Sequence, residues 1–388
     1  MDLSVFFQPV DPVLSEFQQT LHPDRWGRHI PVFTQSFPDW ENADILLVGC
    51  LEERGALTKG LSDGADAVRK CLYELSLPAA EPRVADLGNL KPKETPEAYF
   101  EMLAYVLAEI VRKGKTVLII GGSQEIAYGQ FMAYEDMGRN IEYVHVDARF
   151  DVEDSDIMLN SRSYNHKIFL HKPNYLFSYT NLGYQSFFVS PEQRQLLKDL
   201  NFLAVRYGDI NMKAEEAEPP IRTADMMSID LSSVRLPEAP GALSASPGGF
   251  SAMEICRIAR YAGLAYGLST LSICDFSVKK DHSTQTAQLV AMMCWYFAEG
   301  YYNRWEDYPA EDRSNLRKYA VRLHASIEEI LFYQHPTTDR WWMEVPYQHS
   351  LGKKKPQTRL IACSRADYEF ARTDDIPERW WLAYNKLK

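Results

Sequence analysis

Three short segments of this chain carry acidic and amide side chains at places where a protein can do chemistry. Each segment includes or directly follows the end of a short apolar run. In chain order they are Gly121-Gly122-Ser123-Gln124-Glu125, Val144-His145-Val146-Asp147-Ala148-Arg149-Phe150-Asp151 and Ser228-Ile229-Asp230-Leu231-Ser232. If the apolar runs are parallel strands, these residues lie beyond the carboxyl ends of the sheet, where such folds bind ligands. Acidic side chains there serve binding and catalysis, or they cap loops and neighbouring helices.

Motifs for several other chemistries are missing from the sequence. It has no Gly-x-x-x-x-Gly-Lys phosphate-binding loop. Residues 241–249 are rich in glycine and serine but lack the strand-to-helix context of a dinucleotide site. No cysteine has an obvious histidine partner at a strand end. The strand-end polar residues therefore remain the best candidates for a functional site.

The elements that must position these residues form an alternating pattern. Short apolar or β-branched runs alternate with amphipathic helices from residue 44 to residue 303, which predicts a parallel sheet covered on both faces. The predicted strands are 43–50, 116–120, 141–147, 202–206, 226–231 and 268–274. The predicted helices are 64–75, 95–112, a helix after Gly122, 191–200, 251–263 and 284–300. The predicted fold class is α/β, a three-layer α/β/α sandwich with a mainly parallel sheet.

The amino-acid composition of the chain changes near Arg304. Five of the eight tryptophans lie beyond it, at positions 305, 341, 342, 380 and 381. Tryptophans in such numbers are typical of buried packing and of interface cores. We therefore divide the chain into an N-terminal extension (1–40), an α/β domain (41–303) and a Trp-rich C-terminal appendage (304–388) packed on the main domain.

The composition of the chain limits which binding partners and which cellular compartment we expect for it. The net charge of −11 argues against a nucleic-acid or anionic-membrane surface. No apolar run approaches the roughly 18 residues that a transmembrane helix needs, and the first residues lack the basic region of a signal peptide. The six cysteines lie far apart and are predicted to be reduced rather than disulfide-bonded or zinc-bound. We expect a cytoplasmic protein that neither binds nucleic acid nor inserts into a membrane.

The order and spacing of the three strand-end segments resemble the ureohydrolase superfamily (arginase, agmatinase, formimidoylglutamase), and most closely its formimidoylglutamase branch. In that branch Gly-Gly-Gly-His-Glu opens the helix after one strand. A later strand ends in Asp-x-His-x-Asp, and a third ends in Asp-x-Asp before a Pro-Gly turn. The helix entry from Gly60 to Leu75, the strand Asn181–Gln185 and the segment Asp281–Tyr302 are similar as well. The resemblance covers about residues 40 to 303 and implies an arginase-like fold.

The resemblance also implies a metal site that retains only half of its usual ligands. Members of the superfamily hold two manganese ions with six side chains, and a bridging hydroxide attacks a guanidinium or formimino carbon. The corresponding positions in this chain are Gln124, Asp147, Arg149, Asp151, Asp230 and Ser232. Three carboxylates survive, whereas both histidines and one aspartate are replaced.

Arg149 is the most consequential replacement because an arginine stays protonated and cannot coordinate a metal. At about 4 Å and an effective dielectric constant of about 20, two like unit charges repel by roughly 4 kcal/mol, and a divalent ion doubles that. We hypothesise that the Arg149 guanidinium replaces the metal and binds two of the aspartates. The alternative is one oxygen-ligated ion at Gln124, Asp147, Asp151 and Asp230.

Four more residues are candidates for the pocket. Glu125 is expected to cap the helix that follows it, and His145 is expected to be a core histidine with satisfied nitrogens rather than a ligand. By the resemblance, His166 stands where the formimidoylglutamase branch has a substrate-binding arginine. Asp275 similarly replaces a catalytically important glutamate. These changes indicate a pocket that differs from that of the active relatives.

Two functions remain open on this basis. The interpretation that the replaced ligands favour is a non-catalytic ureohydrolase homologue, a cytoplasmic binding or scaffold protein without a cofactor. Its partner would be another protein or a second copy of itself, with a small ligand in the pocket. The alternative is a metal-dependent hydrolase of formimino or guanidino C–N bonds, similar to formimidoylglutamase, that works with one Mn or Mg ion.

Overall fold

A nine-stranded, almost entirely parallel sheet forms the centre of the molecule. The computed structural model describes residues 2–61, 63–154, 159–305, 307, 313–323, 329–347 and 357–388. The strands of the central sheet are β1 (Phe7–Gln8), β2 (Ile45–Gly49), β3 (Val84–Leu90), β4 (Thr116–Ile120), β5 (Ile141–Val146), β6 (Leu176–Tyr184), β7 (Leu203–Arg206), β8 (Met226–Asp230) and β9 (Thr270–Cys274). Their order across the sheet is β1-β3-β2-β4-β9-β8-β5-β6-β7.

Helices cover both faces of this sheet. The helices are α1 (Pro12–Thr20), α2 (Gly64–Glu74), α3 (Pro96–Arg112), α4 (Ile126–Asp136), α5 (Tyr164–Leu170), α6 (Pro191–Asp199), α7 (Tyr207–Met212), α8 (Glu218–Arg222), α9 (Ala252–Leu264), α10 (Gln285–Tyr301), α11 (Arg365–Ala371) and α12 (Glu378–Leu387). One hydrophobic core lies between the sheet and α2, α9 and α10. A second core lies between the opposite face and α3, α4 and α5. The predicted α/β/α sandwich is confirmed.

Local sequence signals fix where several helices begin. At α3 the Thr95 side chain accepts a hydrogen bond from the Ala98 backbone N–H, and proline occupies the first turn. Ser190 and Ser251 each form a capping box, with Gln193 and Glu254 respectively, at the starts of α6 and α9. These caps hold the helices at fixed positions relative to the strands that precede them.

The N-terminal segment joins the sheet rather than lying apart from it. β1 pairs with β3 and supplies the antiparallel edge, with Phe7 opposite Leu90. Phe7 and Leu3 are buried in the core beneath α3. The first forty residues therefore contribute an edge strand and apolar packing to the main body. Among the described helices, none combines the length and apolar character that a membrane crossing requires.

The C-terminal part forms a second sheet of its own. Its antiparallel strands are β10 (Arg317–Arg322), β11 (Glu329–Gln334), β12 (Trp341–Tyr347) and β13 (Gln357–Cys363). Trp341 and Trp380 are buried in a core between this sheet and the last two helices. Arg222 of α8 donates to the Trp341 carbonyl at 2.9 Å, and Arg379 of α12 donates to the Glu216 carboxylate at 2.9 Å. The second sheet thus packs directly on the α/β body.

A buried arginine ties α2 to β3 next to the site-bearing edge of the sheet. Arg69 is 1% exposed and donates to both oxygens of Asp86, at 2.8 and 3.0 Å. It also donates to Asp66 at 2.7 Å and to the Gly88 carbonyl at 2.8 Å. This network satisfies both charges where water cannot enter, so removing one partner leaves the other uncompensated.

Replacement of Arg69 by methionine is expected to lower the free energy of unfolding by about 3–5 kcal/mol, because Asp86 would stay buried without its cation. Arg83→Met is a matched control, since Arg83 pairs with Asp44 at a side chain that is 68% exposed, and it should change stability little. Urea denaturation followed by circular dichroism measures both. Equal effects of the two substitutions would contradict this account of the network.

Candidate functional site

Four adjacent strands bring the predicted site residues to one edge of the sheet. β4, β9, β8 and β5 are neighbours in that order. Their ends present, in the same order, Gln124, Asp275, Asp230 and the pair Asp147 and Asp151. All five side chains are buried. The cluster therefore lies beyond the carboxyl ends of parallel strands, the usual position of a ligand site in such sheets.

One carboxylate oxygen of Asp147 accepts hydrogen bonds, and the other does not. Its Oδ1 accepts hydrogen bonds from the Ser232 hydroxyl at 3.0 Å and from the Arg149 backbone N–H at 3.0 Å. Its Oδ2 lies 3.3 Å from Nε2 of His145 and has no hydrogen bond of good geometry. The loop after β5 thus fixes the carboxylate and leaves one oxygen free.

His145 is held by hydroxyl groups on both ring nitrogens. Its Nε2 lies 2.8 Å from the Tyr164 hydroxyl, and its Nδ1 lies 3.0 Å from the Tyr179 hydroxyl. The side chain is fully buried, as expected for a core histidine. One donor atom each of His145, Asp147 and Asp151 nevertheless lie within 4.8 Å of one another. The histidine therefore borders the carboxylate cluster rather than standing apart from it.

Three buried oxygens of the cluster have no hydrogen-bond partner among the described residues. They are Oε1 of Gln124, Oδ2 of Asp147 and Oδ2 of Asp151. The Gln124 side-chain amide donates to the Ser228 hydroxyl, which occupies its nitrogen and leaves its oxygen open. A buried oxygen without a donor is costly, and carboxylate and amide oxygens are the ligands of hard divalent cations. Oxygens of this kind suit such a cation, and the described His, Cys, Asp and Glu side chains that converge within 4.8 Å are those of His145, Asp147 and Asp151.

Burial and mutual repulsion separate the pKa values of the three aspartates. Burial, with the Asp147 charge, raises the pKa of Asp230 to about 8, and the same causes hold the pKa of Asp151 well above its usual range. Burial opposes ionisation of Asp147 as well, but the adjacent His145 ring lowers its pKa to about 2. Without a cation the cluster holds protons at Asp151 and Asp230 near neutral pH. A bound cation would allow all three to ionise.

Arg149 does not bridge the aspartates, so the hypothesis that its guanidinium replaces the metal is wrong. Its guanidinium lies 3.8 Å from the centre of the Phe188 ring. Among the described ion pairs, none joins Arg149 to Asp147, Asp151 or Asp230, and its Nη1 is buried without a partner. Stacking on Phe188 holds the guanidinium beyond ion-pair distance of the three carboxylates, although their charges still act on it.

The structure does not reproduce the second metal site that the resemblance to the ureohydrolases implies. Ser232 donates its hydroxyl to Asp147 and its backbone N–H to Oδ1 of Asp230, at 2.6 Å. It therefore acts as a hydrogen-bond donor to the remaining carboxylates rather than as a ligand. Arginine at 149 cannot coordinate a cation, and Ser232 is occupied as a hydrogen-bond donor.

The other pocket candidates lie in different surroundings. Oδ1 of Asp275 accepts the Gln124 backbone N–H at 3.0 Å, which places this acid beside the cluster. Glu125 makes no helix-capping hydrogen bond, contrary to expectation, and instead accepts the Ser123 hydroxyl. Burial raises the pKa of Glu125 to about 7.

His166 is 30% exposed and faces Asp154 at 3.8 Å. Its described ion pair is thus with a loop aspartate and not with the cluster.

Two residues that shape the site were not assigned a role from the sequence. Ser228 fixes the Gln124 amide from the neighbouring strand, and Phe188 holds the Arg149 guanidinium. Ser228 lies two residues before Asp230, and this period-two spacing could have placed it on the same strand face. Phe188 lies in a loop without a motif, so its contact with Arg149 had no signal in the sequence.

Asp151→Asn is expected to raise the melting temperature of the metal-free protein by about 3 °C near pH 8. Asp151 has a positive φ of 51°, which asparagine tolerates as well as aspartate does. A carboxyl group whose folded-state pKa is raised loses stability as pH rises above its unfolded pKa, so the difference should vanish near pH 4. Manganese should stabilise the parent protein and not the variant.

Asp154→Asn is the matched control for that experiment, because Asp154 lies on the same loop with a side chain that is 81% exposed. It should change neither the melting temperature nor the response to manganese. A destabilised Asp151→Asn protein at pH 8, or one that still responds fully to manganese, would contradict the electrostatic account of the cluster. Differential scanning fluorimetry from pH 4 to pH 8 provides the measurement.

Comparisons with known proteins agree with this geometry. Residues 43–299 match the Arginase family. The chain is 27% identical to formimidoylglutamase of Salmonella paratyphi B over 129 residues, which are 32% of this chain and 41% of that protein. It is 25% identical to formimidoylglutamase of Staphylococcus carnosus over 257 residues, 61% of this chain and 79% of that protein. The chain thus spans about two fifths of the length of the first of these relatives.

Solved structures show the same fold. The structure of Trypanosoma cruzi formiminoglutamase with Mn2+ superposes with a TM-score of 0.65 at 18% identity, covering 70% of this chain and 97% of that one. Formimidoylglutamase of Bacillus subtilis superposes with a TM-score of 0.64 at 16% identity, covering 75% and 99%. At these identities the superpositions establish the architecture.

Proposed function

Because this chain belongs to the arginase family, we propose that it is a hydrolase of formimino or guanidino C–N bonds that works with one divalent cation. The cation would be held by Gln124, Asp147, Asp151 and Asp230. The observation that carries this proposal is the set of buried oxygens without hydrogen-bond partners on the first three of these residues. The names of the relatives, which are formimidoylglutamases, support the same reaction class.

The non-catalytic interpretation rested mainly on Arg149. It assumed that the guanidinium would neutralise the aspartates and so replace the metal. Stacking on Phe188 argues against that assumption, because the guanidinium forms no described ion pair that would supply a positive charge directly to the aspartates. A cation from solution is the simplest way to supply that charge.

Hydrolysis of a formimino or guanidino C–N bond requires a polarised carbon atom and groups that control proton transfer. A divalent cation, when bound, would supply Lewis-acid polarisation and neutralise developing negative charge. Asp275 is positioned to orient the substrate, because the Gln124 N–H binds its Oδ1 while no described residue binds its Oδ2. That oxygen can accept an N–H of an amidinium group. Buried strand ends around the cluster keep bulk water away from these contacts.

Arg149 supports an acidic substrate. Its Nη1 is buried and has no hydrogen-bond partner among the described residues. Burial lowers the pKa of Arg149 and the charge of Arg162 lowers it further, whereas the charges of Asp147, Asp151 and Asp230 raise it. A carboxylate on the substrate would bind such a pair of guanidinium groups favourably. We therefore favour an amidine that carries a carboxylate over an uncharged or cationic one.

A second candidate function is a non-catalytic binding protein, and the replacement of two ligand positions by Arg149 and Ser232 favours it. In that case the site would bind a ligand without converting it, and a protein partner or a second copy of the chain would be the functional target. Metal-dependent turnover distinguishes the two candidates.

Purified protein with manganese should release the free amine from N-formimino-L-glutamate, and more slowly from agmatine, which has no carboxylate. Asp147→Asn should lower kcat/KM by about 100-fold or more, because it removes an anionic ligand at the centre of the cluster. Asp154→Asn is the control and should retain activity. Absence of turnover with any linear amidine at saturating manganese would favour the non-catalytic function, and equal turnover by Asp147→Asn would place the activity outside the carboxylate cluster.

The triple variant Gln124→His, Arg149→His and Ser232→Asp should raise the bound manganese from about one ion to about two per chain, because it rebuilds the two-metal ligand set. Gln124→His alone should leave the content near one. Elemental mass spectrometry after gel filtration measures both. If the triple variant still binds only one ion, the loops have been remodelled beyond their ligands.

A further inference from the structure

A cavity of about 680 Å³ lies between the second sheet and the amino-terminal ends of the central strands. Its walls come from both bodies of the protein, including Glu142 of β5, Ser178 of β6, Trp342 of β12 and Lys386 of α12. Small-molecule sites typically have volumes of about 300–1,000 Å³ and often lie between domains. The cavity therefore has the size and position of a ligand site.

This cavity is separate from the carboxylate cluster. Glu142 lies at the beginning of β5, whereas Asp147 follows the end of that strand. At about 3.3 Å per residue, the two are roughly 16 Å apart along the strand. The cavity and the cluster therefore lie at opposite edges of the sheet, and one small molecule cannot occupy both.

The walls combine apolar and aromatic side chains with polar and charged ones. Phe177, Leu203 and Trp342 line the interior. Tyr266 and Trp305 also line the cavity but are 61% and 53% exposed, so they lie where it opens to solvent. Exposed aromatic side chains beside a cavity are typical of sites for ligands with a flat or apolar body.

Ion pairs account for every charged side chain of the cavity lining except Lys386. Each arginine of the lining forms an ion pair with a carboxylate. These pairs are Arg222–Glu218, Arg340–Asp307, Arg359–Glu142 and Arg379–Asp367. The third lining carboxylate, Asp225, pairs with Arg139. Lys386 remains, and no described carboxylate lies within ion-pair distance of its Nζ.

Lys386 is fixed with its ammonium group inside the lining. Its Nζ donates to the Ser178 hydroxyl at 3.0 Å and lies 5.0 Å from the centre of the Phe202 ring. Burial lowers the pKa of Lys386 to about 8, so the group is still mostly protonated at neutral pH. An anion beside it would form the ion pair that no described carboxylate supplies.

We propose that this cavity is a second ligand site, which binds a small monoanion with an aromatic or apolar body through Lys386. The apolar walls would hold the body, and the ammonium group of Lys386 would bind the carboxylate or sulfonate. The site joins the α/β body to the C-terminal sheet, so an occupied cavity would stabilise their packing.

Titration with 1-anilinonaphthalene-8-sulfonate tests the proposal, because this probe combines an aromatic body with one anionic group. The full-length protein should bind about one equivalent with increased fluorescence. Indole-3-acetate should displace the probe, whereas tryptamine, with a similar ring and the opposite charge, should not. Lys386→Met should raise the dissociation constant about tenfold or more, and Lys386→Arg should largely retain binding.

Lys318→Met is the control, since Lys318 is an exposed lysine of the same C-terminal sheet, and it should leave binding unchanged. Trp305→Ala provides an independent variant at an exposed position and should also weaken binding. Parent-like affinity in both Lys386→Met and Trp305→Ala would overturn the proposal. Loss of binding in Asp147→Asn but not in Lys386→Met would also overturn it, because the probe would then lie in the carboxylate cluster.

Discussion

Uncompensated negative charge at the carboxyl edge of the sheet is the constraint around which this site is built. Asp147, Asp151 and Asp230 come from two adjacent strands and are all buried. In a medium of low polarity three such carboxylates cannot ionise together unless a positive charge lies among them. Ser232 donates hydrogen bonds to Asp147 and Asp230, and the ring of His145 lies beside Asp147 alone. The remaining charge is left for a ligand to supply.

The contrast between Arg69 and Arg149 shows how the same residue type can have opposite consequences. Arg69 lies between carboxylates and closes a complete network of hydrogen bonds. Arg149 is adjacent in sequence to an acidic cluster yet stacks on Phe188 and leaves a buried nitrogen without a partner. The first arrangement is structural. The second leaves both an open cation position and an open guanidinium group, which together suit an acidic amidine substrate.

Much of the fold could be predicted because buried parallel strands such as Ile45–Gly49 and Thr116–Ile120 are continuous apolar runs bounded by turn signals. The strand Val84–Leu90 was missed, since its sequence VADLGNL contains an aspartate, a glycine and an asparagine that are satisfied only by tertiary partners such as Arg69. The C-terminal part was expected from its tryptophans, but its four-stranded sheet was not.

The position of the candidate site could be predicted from the sequence, but the direction of its side chains could not. Strand-end spacing brings Gln124, Asp147 and Asp230 to the same edge, as expected for parallel strands. The direction of the Arg149 side chain depends on Phe188, which lies far along the chain in a loop. Sequence alone could not supply that contact, and the function inferred for the site changes with it.

The most direct test of the central claim is a crystal structure of the protein grown with manganese, with anomalous diffraction recorded at the manganese absorption edge. The account predicts a single strong anomalous peak among Asp147, Asp151 and Gln124, with Arg149 still stacked on Phe188. An empty cluster with the Arg149 guanidinium between the aspartates would contradict it.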